Sequence, residues 1–178
     1  GRRFVADPAV VTFYNRGQRY RREPLSPAGD RGEWYAIAPD VLADVMGRYD
    51  PAARDRGERL FTTTHGPSDR RSYVEQRAVF EHVCREPEPD PLLVEETLLG
   101  VLDRLVRLAQ PRLTAVAEAS ARRQRDVVER VREVLARRFV ERLALRELAD
   151  AAACSPFHLA RVFRRVTGRS LHGYRSEL

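Results

Sequence analysis

The sequence contains no lysine: all 32 of its basic residues are arginine, set against 26 Asp and Glu. Arginine without lysine reflects a genome's codon habits as readily as a function, so on its own it says nothing about nucleic acid. No window approaches the roughly 18 apolar residues of a membrane span. The start, Gly1-Arg2-Arg3-Phe4, lacks the apolar run of a signal peptide. We therefore expect a cytoplasmic protein with no membrane partner. Cysteine is scarce, and Cys84 and Cys154 fit no metal-ligand or redox spacing; both are expected as free thiols. The four histidines, His65, His82, His158 and His172, form no HxH or HExxH pattern. His82 and Cys84 sit two apart on a helix, about 200° around it, and diverge as ligands. With no nucleophile elbow, Gly-rich phosphate loop or paired-carboxylate motif, the sequence predicts no enzyme, no metal and no cofactor.

What is present is enough apolar material for a core: 43% hydrophobic and 33% charged residues in a chain of 178, long enough for one large or two small domains. The net charge of +6 is unevenly placed. Residues 1–110 hold 17 Arg and 18 acids, whereas residues 111–178 hold 15 Arg and 8 acids. From Ala151 onward five Arg face the single Glu177. A basic C-terminal third on a near-neutral body suits a nucleic-acid surface, an acidic membrane or protein partner, or an ordinary solvated arginine face.

Residues 1 to 40 read as β. Val10-Val11-Thr12-Phe13-Tyr14 is a β-branched and aromatic run followed by the turn Asn15-Arg16-Gly17, and Glu33 to Ala38 is a second strand candidate. The Pro- and Gly-rich stretch Pro24 to Gly32 is a loop. Pro39-Asp40 opens a short helix through Val41, Leu42, Val45 and Met46 that ends at Gly47, and Arg59 to Thr64 is a third strand closed by His65-Gly66-Pro67. From Ser68 the pattern is helical. Ser68 caps a helix with apolar positions Tyr73, Val74, Ala78, Val79 and Val83, and Asp90-Pro91 caps a second, Leu92 to Ala109, apolar on more than one face. Such a helix packs on two neighbours, as a central core helix or against a partner subunit. Thr114 to Gln124 suits a linker helix.

The informative segment begins at Asp126. Val128, Val131, Leu135 and Phe139 line one face of a helix; Leu145 to Ala153 form a second; after Cys154, Ser155-Pro156 cap a third, Phe157 to Val166, which Thr167-Gly168 terminates. Two short helices so closely joined have helix-turn-helix proportions. On the third helix Leu159, Val162, Phe163 and Val166 fall on one side. Phe157, Ala160, Arg161 and Arg164 fall on the other, with Arg165 beside them and no acid among them. An outward stripe of this kind offers guanidinium groups to guanine edges and phosphates, and apolar surface to thymine methyls.

The pattern Leu145-x-x-Leu148-Ala149-x(5)-Ser155-Pro156-x-His158-Leu159-x-Arg161-x-Phe163-x(4)-Gly168-x-Ser170-x(3)-Tyr174 resembles the first helix-turn-helix of AraC/XylS-type bacterial transcription regulators. Phe4 to Asp7, Tyr14-Asn15-x-Gly17-x-x-Tyr20, Ser26-Pro27-x-Gly29-Asp30 and Thr64 to Pro67 are similar to later strands of the cupin-like sensor domain of some of these regulators. The resemblance implies an α+β chain in three parts. Residues 1–67 would be a partial cupin-like β sensor domain, 68–122 a helical dimerisation and linker region, and 123–178 a three-helix helix-turn-helix unit. It implies double-stranded promoter DNA as partner, a small-molecule effector, and a homodimer formed through the helical region. Phe157, Ala160 and Arg161 match base-facing positions, with Ala160 in place of a polar residue. Leu159 and Phe163 match core positions. Ala153 stands where glycine is common, so a left-handed backbone there would cost about 1 kcal/mol.

The DNA-binding set expected is Phe157, His158, Ala160, Arg161, Arg164 and Arg165, with His158 near a phosphate or its own helix cap. Leu178 falls where a bridging helix should begin, so a second helix-turn-helix is expected to be missing from what reads as a fragment. One recognition helix alone should bind DNA weakly and with strong salt dependence. Two rivals stand beside this expectation. One is a sensing or protein-interaction module with Leu92 to Ala109 as its partner surface and no direct DNA binding; the other is a cupin enzyme, which needs a metal. Glu95 and Glu96, adjacent on one helix, should serve separate roles. Phe13, Tyr14, Tyr20, Trp34 and Tyr35 could line a pocket or fill a small β core.

Overall fold

Aspartate and proline set where the principal helices begin. The computed structural model describes residues 4–24, 27–30, 32–110 and 121–178, and its elements follow the order β1 (Val10–Thr12), α1 (Pro39–Tyr49), β2 (His65–Pro67), α2 (Arg70–Arg85), α3 (Pro91–Ala109), α4 (Ala121–Arg138), α5 (Leu145–Ala151), α6 (Pro156–Thr167) and α7 (Leu171–Arg175). Asp90 Oδ1 accepts the N–H groups of Leu92 and Leu93 at 3.0 and 3.4 Å, and Pro91 fills the first helical position of α3, where no N–H is missed. At α2 the cap is Asp69, which accepts from the Ser72 N–H at 2.7 Å, and not the expected Ser68. Ser68 instead extends the strand ribbon, its N–H donating to the Ala9 carbonyl at 2.7 Å.

The fold is α+β and mostly helical. Among the described residues the strands are β1 and β2, which pair antiparallel with Val10 opposite Pro67, Val11 opposite Gly66 and Thr12 opposite His65. The expected strand over Arg59 to Thr64 therefore does not form; the chain pairs instead over the three residues that follow it, in the segment read as its closing turn. Gly66 accounts for the shift. A Cβ there would lie 2.6 Å from the Ala109 Cβ, so the glycine lets the ribbon lie directly on the end of α3. Glu33 to Ala38 forms no strand; with no ladder to join, it docks on α2 through its side chains, the Tyr35 hydroxyl donating to the Gln76 carbonyl at 2.7 Å. Burial, with Glu33 adding to it, pushes that hydroxyl up to about 12. Residues 25, 26 and 31 of the expected loop and residues 114–120 of the expected linker helix lie outside the described residues; α4 starts at Ala121.

α3 is the central helix. Leu92, Leu99, Leu102 and Val106 join a core that also takes in Val45, Met46 and Tyr49 of α1, Val128, Val131 and Leu135 of α4, and residues of α5, α6 and α7. Val101 and Leu105 meet Phe13 in a smaller cluster, where Phe13 stacks on Phe61 with ring centroids 4.7 Å apart. This supports the reading of α3 as a core helix within one chain. Three apolar assignments differ from expectation. On α2 the buried positions are Ser72 and Val79, while Tyr73, Val74 and Val83 are exposed. Phe139 lies one residue past the end of α4 and is 45% exposed, off the face that buries Val131 and Leu135. Val166, in the last turn of α6, is 41% exposed, because the neighbouring helices cover only the earlier turns.

Two glycines test this packing in opposite directions. Gly66→Ala forces α3 and the ribbon apart and should lower stability by about 1–3 kcal/mol. Gly100→Ala, at an exposed position of α3 where an added Cβ meets nothing within 4 Å, should raise it by about 0.5–1 kcal/mol. Urea unfolding of both variants checks the pair.

Candidate nucleic-acid interface

The unit runs from α4 to α7. At its entry the Glu147 carboxylate accepts the Ala144 N–H at 2.8 Å and fastens the start of α5. α5 ends in a tight turn, with the Ala152 N–H donating to the Leu148 carbonyl at 3.2 Å and the Cys154 N–H to the Ala149 carbonyl at 3.0 Å. Ala153, between them, has φ +52°, the left-handed conformation that favours glycine. Ser155 Oγ then accepts the His158 N–H at 3.1 Å with Pro156 in the first turn of α6, and Gly168 at φ +73° ends the helix. This is the expected capped helix, and the turn before it does place an alanine in the left-handed conformation. Leu159, Val162 and Phe163 are fully buried towards α4 and α5, and Phe163 meets the Tyr174 ring edge-on at 5.5 Å.

The opposite flank is where expectation fails. Phe157, expected to stand outward, is only 6% exposed and belongs to the same core as Val45 and Met46 of α1. Ala160 packs half-buried against that core, and the Arg161 guanidinium lies over the Phe157 ring, 5.7 Å from its centroid. Arg164 is exposed, its Nη2 4.0 Å from Glu96 Oε1 of α3; Arg165 is exposed. α6 thus touches α1 and α3 as well as α4 and α5, while Arg164, Arg165 and Val166 of its last turn stay exposed. Helical periodicity gives the direction of each side chain around its own helix and could not show that other helices of the same chain pack against Phe157 and Ala160. His158 is half-buried and shares an open cavity of about 350 Å³ with Arg123, Asp126, Arg130 and Cys154.

The contacts that sequence reasoning missed are made by acids. Asp44 Oδ2 of α1 accepts from the Ser155 hydroxyl at 2.5 Å, and Asp40 pairs with Arg146 at 2.7 Å. Glu95 accepts the Leu145 N–H at 2.7 Å, whereas Glu96, only 5% exposed, accepts the Leu171 and His172 N–H groups at 3.0 and 3.2 Å. The adjacent glutamates serve separate roles, as their divergence on the helix implied. Asp90 pairs with Arg175, which is 9% exposed. Burial alone would raise the Asp90 carboxyl, but the hydrogen bond and charge of Arg175 outweigh it and hold that carboxyl below its ordinary value. The Arg146 hydrogen bond likewise lowers Asp40. Burial pushes the Cys154 thiol up to about 11, so it is protonated at neutral pH. The signal available in the sequence was the charge split: these acids lie in the near-neutral part and their partners in the basic third.

Among the described residues no group of three His, Cys, Asp or Glu is arranged to hold a metal ion, and no helix is long and apolar enough to cross a membrane. Of the aromatic stock, Phe13 is buried in the core. Tyr14, Tyr20 and Trp34 form a separate cluster, Tyr14 on Trp34 at 5.1 Å, with Tyr20 and Trp34 about half exposed.

Residues 136–176 match the family of bacterial regulatory helix-turn-helix proteins, AraC family. The span is under a quarter of the chain and covers the end of α4 together with α5, α6 and α7. This segment is a helix-turn-helix of the AraC type. Neither curated proteins nor solved structures give a match.

Two measurements follow from this geometry. Ala153→Gly relieves the left-handed strain and should raise stability by up to about 1 kcal/mol. Asp90→Asn keeps a competent helix cap but leaves Arg175 without its charged partner, its Nη1 still donating to the Glu141 carbonyl, and should cost about 1.5–3 kcal/mol at neutral pH. Because folding depresses the Asp90 carboxyl, its contribution is present above its unfolded value of about 3.9 and disappears as pH falls through the lower folded value. Unfolding free energies across the acid range should therefore decline less steeply in Asp90→Asn than in the parent.

Proposed function

We propose that the chain is a DNA-binding transcription regulator that reads promoter DNA through α6. The observation that carries the reading is the AraC-type match coincident with a capped helix-turn-helix whose α6 stripe holds Arg161 and Arg164 and no acid. In the bound state Arg161 takes a guanine edge and Phe157 and Ala160 offer apolar surface to thymine methyls. Arg164, Arg165 and His158 contact phosphates. The protein acts in the cytoplasm.

The finer parts of the proposal concern the preceding residues. Residues 1–67 belong to a cupin-like sensor domain that takes a small-molecule effector, and 68–122 form the dimerising and linking region. Residues 123–178 deliver the DNA contact. The half-exposed rings of Tyr20 and Trp34 support an aromatic-faced effector site, and Tyr73, Val74 and Val83 on the outer face of α2 support a homodimer.

A second reading is favoured by one observation. Phe157 is buried by the chain's own helices, as it would be if the unit were a protein-interaction or sensing module with no direct DNA contact. Fluorescence anisotropy with labelled duplex separates the two. The regulator predicts weak binding that falls steeply with salt. Arg164→Ala or Arg165→Ala should each weaken it on all sequences and reduce the salt slope by about 1, and Arg161→Ala should relax specificity at one base position, worth about 1–3 kcal/mol. No binding at any salt concentration would favour the interaction module.

A further inference from the structure

The geometry points to α1 as a built-in lid over the base-reading face of α6, held there by carboxylates that occupy the donors DNA phosphates would use; the inference rests on the DNA-binding reading above. Three observations converge on it. Phe157, in the first turn of α6, is buried in a core shared with Val45 and Met46 of α1. Asp44 of α1 accepts from the Ser155 hydroxyl, beside that first turn, at 2.5 Å. Asp40, one turn earlier on α1, pairs with Arg146 of α5 at 2.7 Å. Hydroxyl and guanidinium groups at the front of a helix-turn-helix are ordinary phosphate donors. In this chain two aspartates engage them.

The attachment of α1 is unequal along its length. Its C-terminal end is tied to α3, where Asp103 accepts from Arg48 at 2.9 Å and from the Tyr49 hydroxyl at 2.6 Å. Tyr49 is buried, and Asp50 continues the chain into a short 3-10 turn whose first N–H groups it caps. The N-terminal half is held to the helix-turn-helix by different means. Asp40 and Arg146 are both more than half exposed, a class of ion pair that contributes little in water. The groove between the two parts, about 300 Å³ and lined by Asp40, Ala43, Asp44, Arg146, Cys154 and Ser155, is open to solvent. Swinging α1 away breaks the Asp40 and Asp44 contacts and uncovers Phe157, and it leaves in place the α3 contacts to α5 and α7, which run through Glu95, Glu96 and Asp90.

Duplex DNA and α1 then compete for one face. The affinity observed for DNA is the intrinsic affinity reduced by the fraction of chains with α1 displaced. A ligand or partner that holds α1 away raises DNA binding without touching DNA.

The test uses the 178-residue chain and a fluorescein-labelled 30-base-pair duplex pool of random sequence at low salt, read by anisotropy. Asp40→Asn/Asp44→Asn removes the two lid carboxylates; Glu75→Gln/Glu81→Gln removes the same charge from α2, away from α6. The lid predicts that the α1 variant binds about tenfold tighter than the α2 variant. Equal affinity of the two overturns the lid and leaves the DNA-binding reading standing. Absence of binding by parent and both variants overturns the DNA-binding reading and the lid with it. Should the α1 variant lose its circular-dichroism signal, a cross-link decides. Asp40→Cys joined to Asp150→Cys by a short bis-maleimide, both exposed positions lining the groove and with Cys84 and Cys154 replaced by serine, should lose DNA binding relative to the same protein left unlinked. Unchanged binding after cross-linking contradicts the lid.

Discussion

The burial of Phe157 is the contact on which the rest of the arrangement depends. A large ring at the front of a recognition helix can meet bases, water or protein, and here it meets protein: it enters the core that α1 and α3 share with the helix-turn-helix. Removing its apolar surface from water is worth roughly 1.5–3 kcal/mol, more than an exposed ion pair supplies. Once Phe157 is seated, Ala160 and Arg161 follow on the same side of α6, and Arg164 of the last turn is brought to Glu96 of α3. The acids of α1 and α3 then lie opposite hydroxyl, guanidinium and amide donors of the basic third. Charge complementarity fixes the orientation, and apolar burial holds it.

This arrangement gives the uneven charge a structural meaning. The basic excess of residues 111–178 does not simply face water. Asp40, Asp90 and Glu96 meet it with carboxylates from the near-neutral part of the chain, at Arg146, Arg175 and Arg164. The three contacts differ in kind. Asp90 with Arg175 is sheltered and ties α3 to α7, whereas Asp40 with Arg146 is open to solvent and contributes little in water. A unit fastened firmly through α3 and lightly through α1 can expose one face of α6 while keeping its fold.

Much of the helix-turn-helix was legible in the sequence because its signals are local. Ser155-Pro156, Gly168 and the i, i+3, i+4 spacing of α6 each act within a turn or two, and Ala153 announced its strained turn by standing where glycine is common. Asp90-Pro91 was equally plain. The strands were less so. Gly66 looked like a turn residue, yet its small size serves a close approach to Ala109, a contact between positions far apart in the chain. Glu33 to Ala38 had the composition of a strand and no partner to pair with among the described residues. Phe157 shows the same limit: periodicity gives the direction of a side chain relative to its own helix, and long-range packing decides what stands opposite.

The central claim is that α1 covers α6 in the free chain and leaves it when DNA binds. Its most direct measurement is the distance between spin labels at Ala38→Cys, just before α1, and Val140→Cys, an exposed residue after α4, in a chain with both native cysteines replaced by serine. Double electron–electron resonance should give one narrow distance in the free protein and a longer, broader distribution with saturating duplex. A distribution unchanged by bound DNA would contradict the account.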